Sequence, residues 1–402
     1  MKKFKRNELL LLFGKWTSHI GNIVFDYANS VKIVNLFTNS SHILAIYQSS
    51  ETLIQIVFNL MGGIAADGRN KKKIVIITDF IAAAICLILS FLVKTEFIAE
   101  TIIVTNALLA IVYAFNSPTY KSIVREVIEK ERIGLFNSIV NGGTEVIYII
   151  GPLISFALVN RIGIQGAMLF NSGTFILSAV AEMKLNQIHP PVQKKGIKAN
   201  VFNEVKDGFR YLLQERQVFY LVLLSALVNF FLAGYNLIIP FTDIMYNEIV
   251  QGFYSKALMM QALGGVVGSF ISSKFSEKIT ENAITSVLFL GLTGVFLLLV
   301  PVMAATQNVY CCLFPFVGFG VALTVFNIQF MSYVQIRVAE DFLGRVFSII
   351  FTVAVSFMPI GSCVFSLLGK TTDLMCFLFV GSGIVLLALV FSLLILLRPK
   401  DN

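Results

Sequence analysis

Apolar runs of about 20 residues alternate with short polar gaps along this chain of 402 residues. A helix that crosses a membrane needs about 20 consecutive, mostly apolar residues, and a run such as IVIITDFIAAAICLILSFLV (74–93) has that length. The pattern therefore predicts an all-α integral membrane protein with twelve transmembrane helices. The predicted spans are 12–37, 43–66, 74–93, 98–120, 136–159, 165–185, 217–241, 254–275, 282–303, 308–332, 343–368 and 374–397.

The longest polar segment divides the spans into two sets of six. We therefore expect an N-terminal six-helix half (1–185), a cytoplasmic central loop (186–216) and a C-terminal six-helix half (217–402). Within the loop, VFNEVKDGFRYLLQER (201–216) collects its apolar side chains on one helical face, which predicts an amphipathic helix at the membrane surface. Two roles stay open for this helix, a spacer between the halves or a part of a gate.

A short internal repeat supports the division into halves. Gly134-Leu-Phe-Asn-Ser138-Ile139 leads into span 5, and Gly344-Arg-Val-Phe-Ser348-Ile349 leads into span 11. Both spans contain a proline, Pro152 and Pro359. Spans 5 and 11 are equivalent when two six-helix halves are parallel repeats. Transporters built in this way bind their substrate near the middle of the membrane, between the halves.

Composition and charge agree with a membrane protein. The chain is 56% hydrophobic and only 13% charged, whereas a soluble domain carries about 25% charged residues. The net charge of +8 does not indicate nucleic-acid binding, because 25 of the 31 lysines and arginines lie in segments that are cytoplasmic if the N-terminus is cytoplasmic. We therefore predict that both termini are cytoplasmic. The five cysteines and three histidines show no metal-ligand spacing, so we expect no metal and no cofactor.

The stretch GGIAADGRNKKK (62–73) has two possible interpretations. Gly63-x-x-x-x-Gly68-Arg69 approaches a phosphate-binding loop, but that motif needs Lys and then Ser or Thr after its second glycine, and this chain has Arg69 and Asn70. The segments on both sides are too apolar for a nucleotide-binding unit. The stretch is therefore interpreted as the cytoplasmic turn between spans 2 and 3.

Twelve spans in two halves, with Gly-x-x-x-Asp and a basic cluster after span 2, resemble the major facilitator superfamily. The loop pattern of that family is Gly-x-x-x-Asp-Arg-x-Gly-Arg/Lys, and Gly63, Asp67, Lys71 and Lys72 match it. Gly68 stands where the family usually has arginine, and Asn70 where it has glycine. DGRNKKKIVIITD (67–79), Asn116-Ser-Pro118, NEVKDGF (203–209) and AEDFLGRVFSIIFTVAVSFMPIG (339–361) resemble the macrolide-efflux branch more narrowly. The resemblance implies a bacterial cytoplasmic membrane protein with a cytoplasmic gate. The gate residues it implies are Gly63, Asp67, Arg69, Lys71 and Lys72, facing Gly344 and Arg345 at the start of span 11.

Two acids within the spans are candidates for proton coupling. Asp26 lies on a polar stripe of span 1 with Ser18, Asn22 and Ser30, with Asn29 beside it, and such a stripe is typical of a helix that lines water. Glu145 lies in span 5, two turns before Gly151-Pro152. The alternative for each is a structural acid satisfied by a neighbouring helix. Asp79, Glu51 and Glu100 lie nearer the ends of their spans and are interpreted as packing or interfacial charges.

Further polar residues are candidates for lining a substrate cavity. One glycine and two prolines are candidates for bending their helices. The cavity candidates are Asn22, Asn29, Tyr148, Asn229, Tyr235 and Asn236. Gly151 and Pro152 resemble part of the family's antiporter motif and, with Pro359, are expected to bend their helices.

These observations favour a secondary active efflux transporter that exports amphipathic, macrolide-like drugs by proton antiport and alternating access. We expect it to be a monomer in the lipid bilayer that binds a small substrate and protons and uses the proton motive force. The alternative within transport is an exporter of an endogenous product such as a siderophore or a peptide. An enzyme is not expected, because no His/Asp cluster or Ser/Lys pair lies at matching depth on adjacent spans; a receptor that binds without transporting is the other class.

Overall fold

The computed structural model is built from α-helices and describes residues 5–37, 39–66, 70–94, 96–186, 201–275, 282–367 and 373–396. No β-strand occurs within these ranges. The helices are α1 (Arg6–Leu36), α2 (Ser40–Ala66), α3 (Lys71–Ser90), α4 (Ile98–Val127), α5 (Ile133–Met183), α6 (Val201–Gln214), α7 (Arg216–Ile238), the short α8 (Thr242–Met245), α9 (Phe253–Ser273), α10 (Ala283–Ala304), α11 (Val309–Arg337), α12 (Glu340–Leu367) and α13 (Met375–Leu396).

These helices contain the twelve predicted spans. The helix or helix arm that corresponds to each span has at least 20 residues, hence a length of at least about 30 Å. Eight helical stretches of the described chain are long and apolar enough to cross a membrane. One of the eight is α5, which holds two spans. α1, α2 and α9 are not among the eight. α1 and α2 carry the polar faces described below.

The helix α5 holds spans 5 and 6 in one element. The predicted gap at residues 160–164 is reduced to a single non-helical residue, Gly163, with φ of +62°. Backbone in this left-handed region strongly favours glycine. One glycine therefore turns the chain between a first arm (133–162) and a second arm (164–183).

The chain divides into two compact units, Met1–Ile197 and Lys198–Asn402, and helices pair in the same way within each. In the first unit, α1 packs on both arms of α5, α2 on α4, and α3 on α4 and on α5. In the second unit, α7 packs on α12 and α13, α9 on α11, and α10 on α11 and α13. Each unit therefore repeats one scheme of neighbours among six spanning helices.

The predicted amphipathic helix is present as α6 in the second unit, where it packs on α12. A Cβ at Gly208 would lie 2.9 Å from the Cβ of Arg345, so the two helices touch at this glycine. The Tyr211 ring stacks on Phe342 with centroids 4.4 Å apart, and its hydroxyl accepts a hydrogen bond from the Ala339 N–H at 3.0 Å. The start of α12 is thus fastened to the helix of the central loop.

Candidate functional site

A polar cavity of about 550 Å³ lies within the first unit, among α1 to α5. The helix α1 contributes six of the lining residues at helical spacing, and α4 contributes five more. This volume falls in the range of small-molecule sites, about 300–1,000 Å³. The lining residues are Lys15, Ser18, His19, Asn22, Ile23, Asp26, Glu51, Gln55, Asp79, Tyr113, Ala114, Asn116, Ser117, Tyr120, Tyr148, Phe175, Ser178 and Glu182.

Four carboxylic acids and one lysine share this cavity, at two depths. Lys15 and Asp26 both project from α1, and at about 1.5 Å of rise per residue they lie about 16 Å apart along its axis. We call the two depths the Lys15 level and the Asp26 level. Ionisable side chains at membrane depth are expensive to bury, and they usually face a cavity or a partner; here they do both.

At the Asp26 level, two carboxyl groups meet a small hydrogen-bond network. The Tyr47 hydroxyl donates to Asp26 Oδ1 at 2.9 Å, and the Asn29 amide donates to the Tyr47 oxygen at 3.2 Å. From α2, Glu51 interacts electrostatically with Asp26 and accepts a hydrogen bond from Gln55 Nε2 at 3.0 Å. No lysine or arginine lines the cavity at this level, so a cation from solution is the available counter-charge.

At the Lys15 level, two further carboxyl groups face one ammonium group. Asp79 on α3 accepts a hydrogen bond from Asn116 Nδ2 at 2.9 Å, and Glu182 at the end of α5 lines the cavity beside it. Both acids interact electrostatically with Lys15, whose ammonium lies 5.3 Å from the centroid of the Tyr120 ring. Within the part of the chain that the structure describes, Lys15 makes no direct ion pair.

Several sequence candidates in the first unit line this cavity. Asn22 accepts a hydrogen bond from the Tyr113 hydroxyl at 2.6 Å, and Tyr148 meets the His19 ring edge to face at 4.9 Å. Asn29 is fully buried behind Asp26 and supports Tyr47. Glu145 is exposed and does not line the cavity; its role in coupling stays a prediction.

The expected bend residues of α5 and α12 lie inside continuous helices. Gly151 lets α1 approach closely, because a Cβ there would lie 3.1 Å from Ile23 Cγ2. Pro152 follows it within α5, and Pro359 lies within α12.

The candidates of the second unit occupy different environments. Tyr235 is buried, stacks on Phe319 at 4.3 Å and donates its hydroxyl hydrogen bond to Gln261 Oε1 at 2.8 Å. Asn229 donates to the Ser225 carbonyl of its own helix at 2.8 Å, and Asn236 is exposed. Tyr235 therefore packs in the core of the second unit, and its role in a substrate cavity stays a prediction.

The predicted gate residues that the structure describes have partners within their own units. Lys71 forms a buried ion pair with Glu126 at 2.8 Å. Lys72 donates to the carbonyl groups of Met183 and Leu185, both at 2.8 Å, where a cation suits the end of a helix. The Arg345 guanidinium lies 5.4 Å from the Phe342 ring.

Four residues of the predicted gate remain. Gly63 lies in α2 and Gly344 in α12, whereas Asp67 and Arg69 lie outside the described residues. The gate therefore stays a prediction.

Sequence reasoning underrated Asp79 and Glu51 and missed Lys15, Gln55 and Glu182. The two acids were interpreted as interfacial because they lie towards the ends of apolar runs, yet both line the cavity. The sequence did contain a signal for Glu182. Ser178 and Glu182 are four residues apart and therefore form a polar stripe on one face of α5. No group of three metal-binding side chains is found in the described ranges.

Comparison with known proteins gives a consistent result. A family model described as Major Facilitator Superfamily matches residues 11–362. Macrolide efflux protein A of Streptococcus pyogenes is 22% identical over 375 residues, covering 90% of each chain. Multidrug efflux pump Tap of Mycolicibacterium fortuitum is 24% identical, covering 90% of this chain and 89% of its own. A bacterial homologue of the iron transporter ferroportin in its inward-facing state superposes with a TM-score of 0.75 at 17% identity, covering 99% and 100% of the two chains.

Proposed function

Since the chain belongs to the major facilitator superfamily, we propose that it is a secondary active exporter of amphipathic, macrolide-like molecules, driven by proton antiport. Membership confirms the expected fold, a multi-pass membrane protein with twelve helices in two halves, and a transporter rather than an enzyme. The cytoplasmic position of both termini stays a prediction from the charge pattern.

The observation that carries the proton-antiport proposal is the carboxyl group of Asp26. It faces a cavity of about 550 Å³, is hydrogen-bonded by Tyr47, and has the second carboxyl group of Glu51 at the same level. Two carboxylates without a cation beside them are costly at membrane depth. A proton or a positively charged group of a substrate relieves the same charge, so the two compete for one site.

Competition of this kind couples two flows. When the cavity opens to the side of higher proton concentration, Asp26 takes a proton and substrate leaves. When the cavity opens to the other side, the proton leaves and substrate binds. Alternating access by the two halves then converts inward proton flow into outward substrate flow. The names of the efflux relatives support the direction and the macrolide-like substrate class.

The test is transport of a radiolabelled macrolide by purified protein in lipid vesicles with an imposed pH gradient. Asp26→Asn removes the titratable group at nearly constant volume, so gradient-driven transport is expected to fall to the background of empty vesicles. Glu100→Gln, an exposed acid outside the cavity, is the matched control and should transport as the unchanged protein does. Gradient-driven transport retained by Asp26→Asn contradicts the proposal.

The substrate class is tested separately in cells. A pump-deficient bacterium that expresses the chain should tolerate higher concentrations of macrolides, and a protonophore should abolish that tolerance. A screen that also includes siderophores and peptides distinguishes a drug exporter from an exporter of an endogenous product.

A further inference from the structure

The Lys15 level of the cavity holds charged groups that the proposed coupling at Asp26 does not use. Asp79 and Glu182 are 5% and 3% exposed, so both carboxyl groups are buried against neighbouring helices. The charged or titratable groups at this level are Lys15 and His19 from α1 and Tyr113 and Tyr120 from α4. A protonated ring would leave a buried donor unpaired at His19 Nε2, which has no hydrogen-bond partner within the described chain, so His19 is counted as neutral. Lys121 of α4 acts on Lys15, but it is exposed and its charge is solvated.

With His19 neutral, the charges at this level do not balance when both carboxyl groups and Lys15 are ionised. Two carboxylates and one ammonium leave one net negative charge, buried among apolar helices. An uncompensated buried charge is costly even after the protein relaxes, and one bound proton removes it.

Hydrogen bonding distinguishes the two carboxyl groups. Asp79 accepts a hydrogen bond from Asn116 at 2.9 Å and has the Ser178 hydroxyl beside it, and both contacts support its ionised form. Glu182 Oε2 is buried and has no hydrogen-bond partner within the described chain. An ionised oxygen without a donor is poorly stabilised, so the proton belongs on Glu182.

We infer that Glu182, with Asp79 and Lys15, forms a second proton-binding site at the Lys15 level, about 16 Å along α1 from Asp26. The site binds one proton on Glu182, while Lys15 balances Asp79. The role of this second site in transport rests on the proposed coupling site at Asp26; with both sites, the first half binds protons at two separate depths.

The number of carboxyl protons can be counted without any substrate. Infrared spectroscopy of the purified full chain in lipid shows the C=O stretching band of protonated carboxyl groups, which carboxylates lack. In a pH titration, Glu182→Gln is expected to remove one titrating band. Asp26→Asn is expected to leave that band in place and to affect only bands from the other level.

Charge balance predicts two further results that a merely structural role does not. Asp79→Asn should also abolish the Glu182 band, because the remaining carboxylate is then balanced by Lys15. Lys15→Met should add one carboxyl proton, since both acids then need neutralising. Lys15→Arg keeps the cation and should leave the count unchanged.

Gel filtration and thermal unfolding of each variant establish that it is folded. If Lys15→Met does not fold, Glu182→Gln and Asp79→Asn decide alone. An unchanged band in Glu182→Gln overturns the inference, as does a Glu182 band that persists in Asp79→Asn. Both outcomes are independent of the transport assay, so failure of this site and failure of antiport at Asp26 are distinguishable.

Discussion

Buried charged side chains in the first half are held in place by particular partners. Lys71 and Glu126 are only 3% and 2% exposed and pair with each other. Glu8 at the start of α1 accepts hydrogen bonds from the Lys5 backbone N–H at 3.0 Å and from Arg132 Nη2 at 2.7 Å. Because breaking such a pair leaves a charge uncompensated, each partner matters more than a charge at the surface does.

The carboxyl group of Glu8 gives a prediction about stability in acid. Glu8 precedes the first predicted span (12–37) and therefore lies outside the membrane-spanning segments. The hydrogen-bonded Arg132 guanidinium holds the pKa of the Glu8 carboxyl group below its ordinary value of 4.5. A depressed pKa in the folded protein contributes stability above the ordinary value, and this contribution is lost as the pH falls through the folded value. Glu8→Gln should therefore lower the unfolding temperature at pH 7 by several degrees and weaken its decline below about pH 4.5.

The matched control is Glu129→Gln, whose partner Lys5 is half exposed. Exposed ion pairs contribute little to stability, so this variant should unfold close to the temperature of the unchanged protein. Thermal unfolding followed by tryptophan fluorescence from pH 3 to pH 8 checks both variants. Equal effects of the two substitutions would contradict the role given to Glu8.

At the scale of single residues, helical spacing predicted some of the cavity residues. Position along a span was a poor guide to the others. Asp26 and Asn22 were found because they recur on one face of a long span. Asp79 and Glu182 were underrated or missed because each lies inside a predicted span but near its end, 74–93 and 165–185, where an acid resembles an interfacial charge. The packing of α3 and α5, which the sequence does not show, brings both acids into one cavity with Lys15.

At the scale of elements, helices of each unit approach closely where a glycine faces a backbone. A Cβ at Gly62 of α2 would lie 1.8 Å from the Ala114 carbonyl oxygen of α4. In the second unit, a Cβ at Gly320 would lie 2.1 Å from the Gln261 carbonyl oxygen, and one at Gly361 would lie 2.2 Å from that of Phe230. Small residues at such crossings permit the backbone contact that holds membrane helices together.

Gly62→Ala tests the crossing of α2 and α4. Backbone cannot move aside as a flexible side chain does, so the helices must separate, at a cost of about 3 kcal/mol, the upper part of the range for overpacking. We expect a clearly lower unfolding temperature and a lower yield of monodisperse protein. Gly142→Ala on α5 is the control, because no atom lies within 4 Å of the added Cβ; a similar loss in both variants would refute the close contact.

The helices themselves were predictable to within a few residues, whereas one connection was not. Apolar runs bounded by polar residues predicted twelve spans, and each corresponds to a helix of the structure or to one arm of α5. The turn between the arms of α5 was expected to occupy five residues. It needs only Gly163, because a single left-handed residue redirects the chain, and sequence alone does not show which glycine does so.

At the scale of the whole molecule, the two units share a scheme of helix neighbours but differ in chemistry. The first places four acids and a lysine around one cavity. In the second, the buried polar contacts of the described helices include neutral pairs, among them Tyr235 with Gln261 at 2.8 Å and Gln329 with Ser272 at 2.7 Å. We therefore expect proton coupling to reside in the first unit.

A pair of variants tests this division of labour. Glu51→Gln removes the carboxyl group that shares the Asp26 level, so stimulation of macrolide transport by a pH gradient should fall several-fold. The double variant Tyr235→Phe, Gln261→Leu removes both partners of a neutral pair and leaves no buried group unpaired, which is tolerated far better than removing one. It should keep the ratio of transport with and without the gradient, even if the absolute rate changes. Loss of that ratio in the double variant, with Glu51→Gln unaffected, would move the coupling chemistry to the second unit.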